Sequence, residues 1–178
     1  MIRMTVQGLT IDPASNSPIL ILKEQDGERS LPIWIGLLEA TAIASELEKV
    51  SFARPMTHDL LRNVIAELGY SVLKVEVVDL KDNTFYALIH LTAAHGGLAI
   101  DARPSDAVAL ALRAQAPIFI DPKVLEAAGS SEKQLGDQDD KWSELLDKMD
   151  PETLASIKCN CQRSAPRHLR QGSLARNG

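Results

Sequence analysis

Ile100-Asp101-Ala102-Arg103-Pro104-Ser105-Asp106-Ala107-Val108-Ala109-Leu110-Ala111-Leu112-Arg113 turns from strand to helix within a few residues. The apolar run Leu98–Ala102 stops, and Asp101, Arg103, Ser105 and Asp106 crowd into six positions before an alanine-rich helix begins. Helix N-termini carry free N–H groups and the positive end of the helix dipole, so such a junction attracts anions. A second stretch has the same form: Arg54-Pro55-Met56-Thr57-His58-Asp59 leads into the apolar helix that starts at Leu60. Two Arg-Pro phrases, each running through a hydroxyl residue to an aspartate, point to one polar site.

Working outward, the junction is also half of an internal repeat. Shifting the chain by 67 residues aligns 10–44 with 77–111 without a gap. Asp12 meets Asp79, Asn16 meets Asn83, Leu31 meets Leu98 and Ile33 meets Ile100. Glu39-Ala40-Thr41-Ala42-Ile43-Ala44 then meets Asp106-Ala107-Val108-Ala109-Leu110-Ala111. The identities fall at the turn and at the strand-to-helix junction, which marks a duplication too long for a solenoid and suited to two halves of one domain.

Each half reads as hairpin, strand, helix. In the first, Met4–Ile11 and Pro18–Lys23 flank a turn, and Ser30–Ile35 precedes the helical period of Leu37–Lys49. In the second, Val72–Leu80 and Thr84–Thr92 flank Lys81-Asp82-Asn83, and Leu98–Ala102 precedes the helix Ser105–Gln115. The helix Thr57–Leu68, closed by Gly69, lies between the halves; Pro117–Ile120 is β-rich and Pro122–Ala128 helical. The pattern predicts an α+β domain over 1–129, with a mainly antiparallel or mixed sheet and helices packed on it. A polar linker follows at 130–140, then a short amphipathic helical segment at 141–158 with Trp142, Leu145, Leu146 and Met149 on one face. Residues 159–178 show no periodicity and read as a disordered basic tail.

Composition narrows the function classes. The 178 residues are 45% hydrophobic but only 4% aromatic, so the core is aliphatic, and Trp34 between Ile33 and Ile35 reads as part of it. No apolar run reaches the ~20 residues of a membrane span, and the N-terminus lacks a secretory signal, which predicts a cytoplasmic protein without a membrane partner. The net charge of −5 conceals an asymmetry: residues 160–178 hold four arginines and no acid, leaving −9 on the rest. Such a body repels polyanions, so any nucleic acid must meet a local basic patch or a bound cation. Cys159 and Cys161 lack partner ligands nearby and read as incidental thiols. No Walker loop, nucleophile elbow, zinc-binding helix or dinucleotide fingerprint is present.

At the junctions, Ser105 and Thr57 suit N-caps, and Asp106 and Asp59 suit a first helical turn. Asp101 and Arg103 are what that architecture does not require, since the first half has Trp34 and Gly36 there. Asp59, Asp101 and Asp106 supply hard oxygen ligands for Mg²⁺ or Mn²⁺, and His58, kept neutral at a helix start, supplies a base or a ligand. Arg54 and Arg103 supply forks for phosphate, with Thr57 and Ser105 beside them. The same acids and arginines also describe a closed salt-bridge network. Glu39, the repeat partner of Asp106, reads mainly as a complement to its helix dipole.

The phrases Leu31-Pro32-Ile33-Trp34-Ile35-Gly36, Arg54–Asp59 and Asp101–Ala107 together resemble the bifunctional nuclease domain family of bacteria and plants, over roughly residues 3–129. The resemblance implies a compact α+β domain that hydrolyses DNA and RNA, with Arg54, Thr57, His58, Asp59, Asp101, Arg103, Ser105 and Asp106 on its motifs. The leading expectation is a metal-assisted nuclease of low sequence specificity: Asp59, Asp101 and Asp106 on the cation, His58 as base, Arg54 and Arg103 on the phosphate. The alternative is a non-catalytic homo-oligomeric module that binds a small anion or a protein partner, which the acidic body and free sheet edges favour.

Overall fold

The computed structural model describes residues 1–94 and 96–128. The linker, the amphipathic segment and the basic tail expected beyond them lie outside the described residues. The chain runs β1 (Ile2–Ile11), β2 (Pro18–Glu24), β3 (Ser30–Trp34), α1 (Leu37–Leu47), α2 (Thr57–Glu67), β4 (Ser71–Lys81), β5 (Thr84–Ala93), β6 (Gly96–Ala102), α3 (Pro104–Ala114), β7 (Ile118–Ile120) and α4 (Pro122–Ala128).

The strands form one sheet in the order β3-β2-β1-β7-β4-β5-β6. Both halves are therefore the same β-β-β-α unit, laid out to either side of β7. The hairpins pair antiparallel, while β7 pairs antiparallel with β1 and parallel with β4. The second hairpin turns at Asp82 and Asn83, both in the left-handed region at φ 48° and 56°, which short polar side chains tolerate. The fold is α+β with a mixed sheet, as the alternation of strand and helix patterns predicts.

β7 was legible only as a β-rich run, yet it joins the halves. Ile118 stands opposite Met4 and Val75, and Ile120 opposite Ile2 and Val77. These side chains share one face with Leu20, Leu22, Leu31, Ile33, Ala87, Ile89 and Leu91, and the helices cover that face to form a single core. α1 packs on β1 and β2, and α3 on β4 and β5. α2 lies across α3 and buries only Ile65, leaving Leu60, Leu61 and Val64 at least 40% exposed. It closes as the sequence predicts, with Gly69 at φ 78° and the N–H groups of Gly69 and Tyr70 donating to Ala66 and Ile65 carbonyls.

Three local expectations change. Ser105 and Thr57 are not the caps: Arg103 and Met56 hold those positions in extended conformation, and Pro104 begins α3. Pro104 suits the first helical position because its missing N–H has no helical acceptor there. Trp34, read as core, is 51% exposed, because Ile33 beside it faces the helices opposite Leu20 and strand alternation turns Trp34 to the other face of the sheet.

Candidate active site

Two arginines, Arg103 at the N-cap of α3 and Arg113 in its last turn, hold the three long helices together. Arg113 comes from the alanine-rich face of α3, with a side chain only 2% exposed. Its Nε donates to Asp59 Oδ1 (2.8 Å), its two terminal nitrogens to the carbonyls of Ala109 (3.0 Å) and Ala42 (2.9 Å), with Ser45 Oγ at 3.4 Å. One guanidinium thus ties α2, α3 and α1. Asp59 turns its other oxygen back to accept the Met56 N–H (3.0 Å), closing the start of α2. Both oxygens of Asp59 are spent on structure.

The second cluster is more open. Arg103, with its side chain 66% exposed, donates through Nε to Asp106 Oδ2 (2.7 Å) and through a terminal nitrogen to Glu39 Oε1 (2.9 Å). Asp106 Oδ1 stands 3.2 Å from His58 Nε2, and the described residues give His58 Nδ1 no partner. The arginine's proton is held more tightly than usual, first by its hydrogen bond to Asp106, then by the charges of Asp106 and Glu39. His58, Asp106, Arg103 and Glu39 therefore form one chain across the starts of α2, α3 and α1. Gly36, which caps α1, leaves room for the Glu39 carboxylate; a Cβ there would meet Glu39 Oε2.

The arrangement assigns the sequence candidates to different places. His58, Asp106 and Arg103 meet. Asp59 sits beside them but faces Arg113. Exposed Arg54 lines a neighbouring polar cleft of about 280 Å³ with Arg62, Asp59 and Arg113. Thr57 is exposed and Ser105 buried in the helix layer. Asp101 stands apart: its register partner is Leu88, while Ile100 pairs with Ile89 in the core, so Asp101 projects from the face of the sheet opposite the helices. Strand alternation, which flips direction at every residue, separates it from Asp106.

A divalent cation needs several oxygen or nitrogen ligands turned to one point. Among the described residues no three His, Cys, Asp or Glu side chains are so grouped. With Asp59 committed to Arg113, Asp106 shared by Arg103 and His58, and Asp101 on the other face, these side chains do not fit a resident Mg²⁺ or Mn²⁺. What the cluster offers is an imidazole backed by a carboxylate, beside an accessible guanidinium: a base and an anion-binding fork.

Sequence reasoning missed Arg113 and undervalued Glu39. A signal existed for the first: Arg113 follows Ala109 by four residues, on the stripe of α3 that is otherwise apolar. No local feature distinguished Glu39 from a routine first-turn acid, because its partner lies 64 residues away.

The bifunctional nuclease domain model matches residues 20–133, which include every residue of both arginine clusters. The chain belongs to the bifunctional nuclease domain family. The uncharacterized protein Rv1829 of Mycobacterium tuberculosis is 42% identical over 157 residues, covering 83% of this chain and 94% of its own length. Bifunctional nuclease 2 of Oryza sativa subsp. japonica is 28% identical over 118 residues, 64% of this chain and 36% of its own. Bifunctional nuclease 1 of Arabidopsis thaliana is 26% identical over 118 residues, with the same coverage. The match thus spans about a third of the length of these plant relatives and nearly all of the mycobacterial one. No helix among the described residues is long and apolar enough to cross a membrane.

Proposed function

We propose that the protein hydrolyses phosphodiester bonds of DNA and RNA at the His58–Asp106–Arg103 cluster, with little regard to sequence. The observation that carries this is the contact of His58 with Asp106 beside the exposed Arg103 fork, in a chain of the bifunctional nuclease domain family. His58 takes a proton from the attacking water as its oxygen bonds to phosphorus, and Asp106 stabilises the imidazolium. Arg103 offsets the charge gathering on the phosphate, Arg54 in the neighbouring cleft holds the backbone further along, and the ester oxygen that leaves takes back the proton from His58. The arginines also answer the acidity of the body by placing positive charge where the backbone of the substrate would lie. Mg²⁺ or Mn²⁺ enters this proposal as a companion of the substrate, from the counterions that nucleic acid carries, and not as a resident of Asp59, Asp101 and Asp106.

The test is cleavage of single- and double-stranded DNA and RNA oligonucleotides by the full chain, freed of contaminating nuclease, in chelator and in added Mg²⁺ or Mn²⁺. His58→Ala and Asp106→Asn should each cost roughly 10²–10⁴ in rate while remaining folded. Wild-type protein that cleaves none of these substrates refutes the nuclease reading; full activity in folded His58→Ala refutes the site.

A specific observation favours the second reading, a homo-oligomeric module. Leu31 and Ile33 of β3 are buried, with α4 packed against that strand, whereas their repeat partners Leu98 and Ile100 on edge strand β6 are 50% and 44% exposed. β3 also carries Pro32, which blunts an edge, where β6 has Ala99. A second copy pairing along β6 would cover those side chains. Ile100→Lys should then lower the mass seen by light scattering; wild-type protein that is monomeric at all concentrations refutes the assembly.

A further inference from the structure

A groove of about 350 Å³ opens on the far side of Arg103, between the two halves of the duplication. Ser17 and Thr84, which are repeat partners at the ends of the hairpin turns, line it together with Trp34, Asn83, Phe85 and Arg103. It is large enough for one small ligand and combines an aromatic surface with a few polar groups. Trp34 is half exposed here, and its Nε1 is 3.5 Å from Asp12 Oδ2, so the indole is tethered by its edge while a face stays open. Beside a guanidinium it makes the two-part receptor for a nucleotide: a flat ring for the base, a fork for its phosphate.

We infer that this groove is a nucleobase subsite, in which Trp34 stacks on an unpaired base of a single-stranded substrate. Arg103 belongs to both the groove and the His58–Asp106 cluster. It would hold the phosphodiester that joins the stacked nucleotide to its neighbour, the bond presented to His58. The hydroxyls of Ser17 and Thr84 and the amide of Asn83 offer donors and acceptors at the rim, without a pattern that selects one base. The inference rests on the nuclease reading for what happens after binding, but binding itself can be measured apart from cleavage.

Trp34 is one of two tryptophans in the chain, the other being Trp142. In full-length protein carrying Trp142→Phe, a ten-residue oligothymidylate should quench the remaining tryptophan emission saturably, and the same sequence as a duplex should quench it far less. By anisotropy of a labelled oligothymidylate, Trp34→Ala should bind on the order of ten- to a hundredfold more weakly, and Trp34→Phe within a few fold of the parent. Unfolding midpoints of both variants establish that they fold, and the phenylalanine variant keeps the test valid if the alanine one does not. Unchanged binding by folded Trp34→Ala, absence of quenching, or equal quenching by duplex overturns the subsite. Cleavage that persists alongside such a result leaves the nuclease reading standing; saturable binding that depends on Trp34 without any cleavage sustains the subsite and removes hydrolysis.

Discussion

Asp59→Ala tests whether the carboxylate nearest the cluster is structural. Its removal would strand the Arg113 guanidinium, 2% exposed, with only neutral acceptors: the Ala109 and Ala42 carbonyls and Ser45 Oγ. Breaking a buried pair by deleting one partner costs about 3–5 kcal/mol, of which the lost acceptor for the Met56 N–H is about 1. Domains of ordinary size have about 5–15 kcal/mol in hand, so the variant should fold but with little margin. With a urea dependence of roughly 1–3 kcal/mol per molar, the midpoint should fall by about 2 M. Arg113→Met in the same chain removes the stranded charge and fills its place with an apolar stem. The double variant should therefore lose only about 1–2 kcal/mol, well short of the sum of the single changes. Urea unfolding of the four proteins gives the cycle. A loss below about 1 kcal/mol in Asp59→Ala, or strict additivity in the double variant, would refute the buried-pair account. Cleavage per folded molecule should survive in the double variant, because Asp59 does not belong to the proposed base and fork.

Asp101→Asn should leave both cleavage and stability within about twofold and 0.5 kcal/mol of the parent, since Asp101 is exposed on the face away from His58; an inactive, folded Asp101→Asn would require that face in the chemistry. Glu76, buried on that face, is pushed up by burial but held net below the usual carboxylate range by the hydrogen bond from Lys74 and the charge of His90. A depressed carboxylate stabilises the fold above its unfolded-state pKa and loses that contribution as pH falls through the lower folded value. Stability should thus decline below about pH 4.5, and Glu76→Gln should flatten that decline while lowering stability at neutral pH; identical acid unfolding curves would contradict this. Ile120→Ala, fully buried where β7 joins β1 to β4, should cost about 2–5 kcal/mol by thermal or urea unfolding, and a loss under 1 would mean the halves do not depend on β7.

The sequence by itself determined the repeated unit. Strand alternation, the helical period after Leu37 and after Pro104, and turn residues at Asp82-Asn83 are local consequences of backbone geometry, so they could be read residue by residue. It also singled out His58, Arg103 and Asp106, because charge at a strand-to-helix junction departs from what either element needs. Only the tertiary structure decided which of those charges face one another. Asp101 and Asp106 are five residues apart, but a strand turns alternate side chains to opposite faces, and Asp101 falls on the wrong one. Glu39 and Arg103 meet because α1 and α3 lie with their starting ends together, and Arg113 becomes a buried tie because three helices converge on it. Trp34 looked like core in a core-like string, and became the open wall of a groove because alternation turns it to the sheet face away from the helices that bury Ile33. Long-range contacts of this kind depend on the packing of whole elements, and no short stretch of sequence carries them.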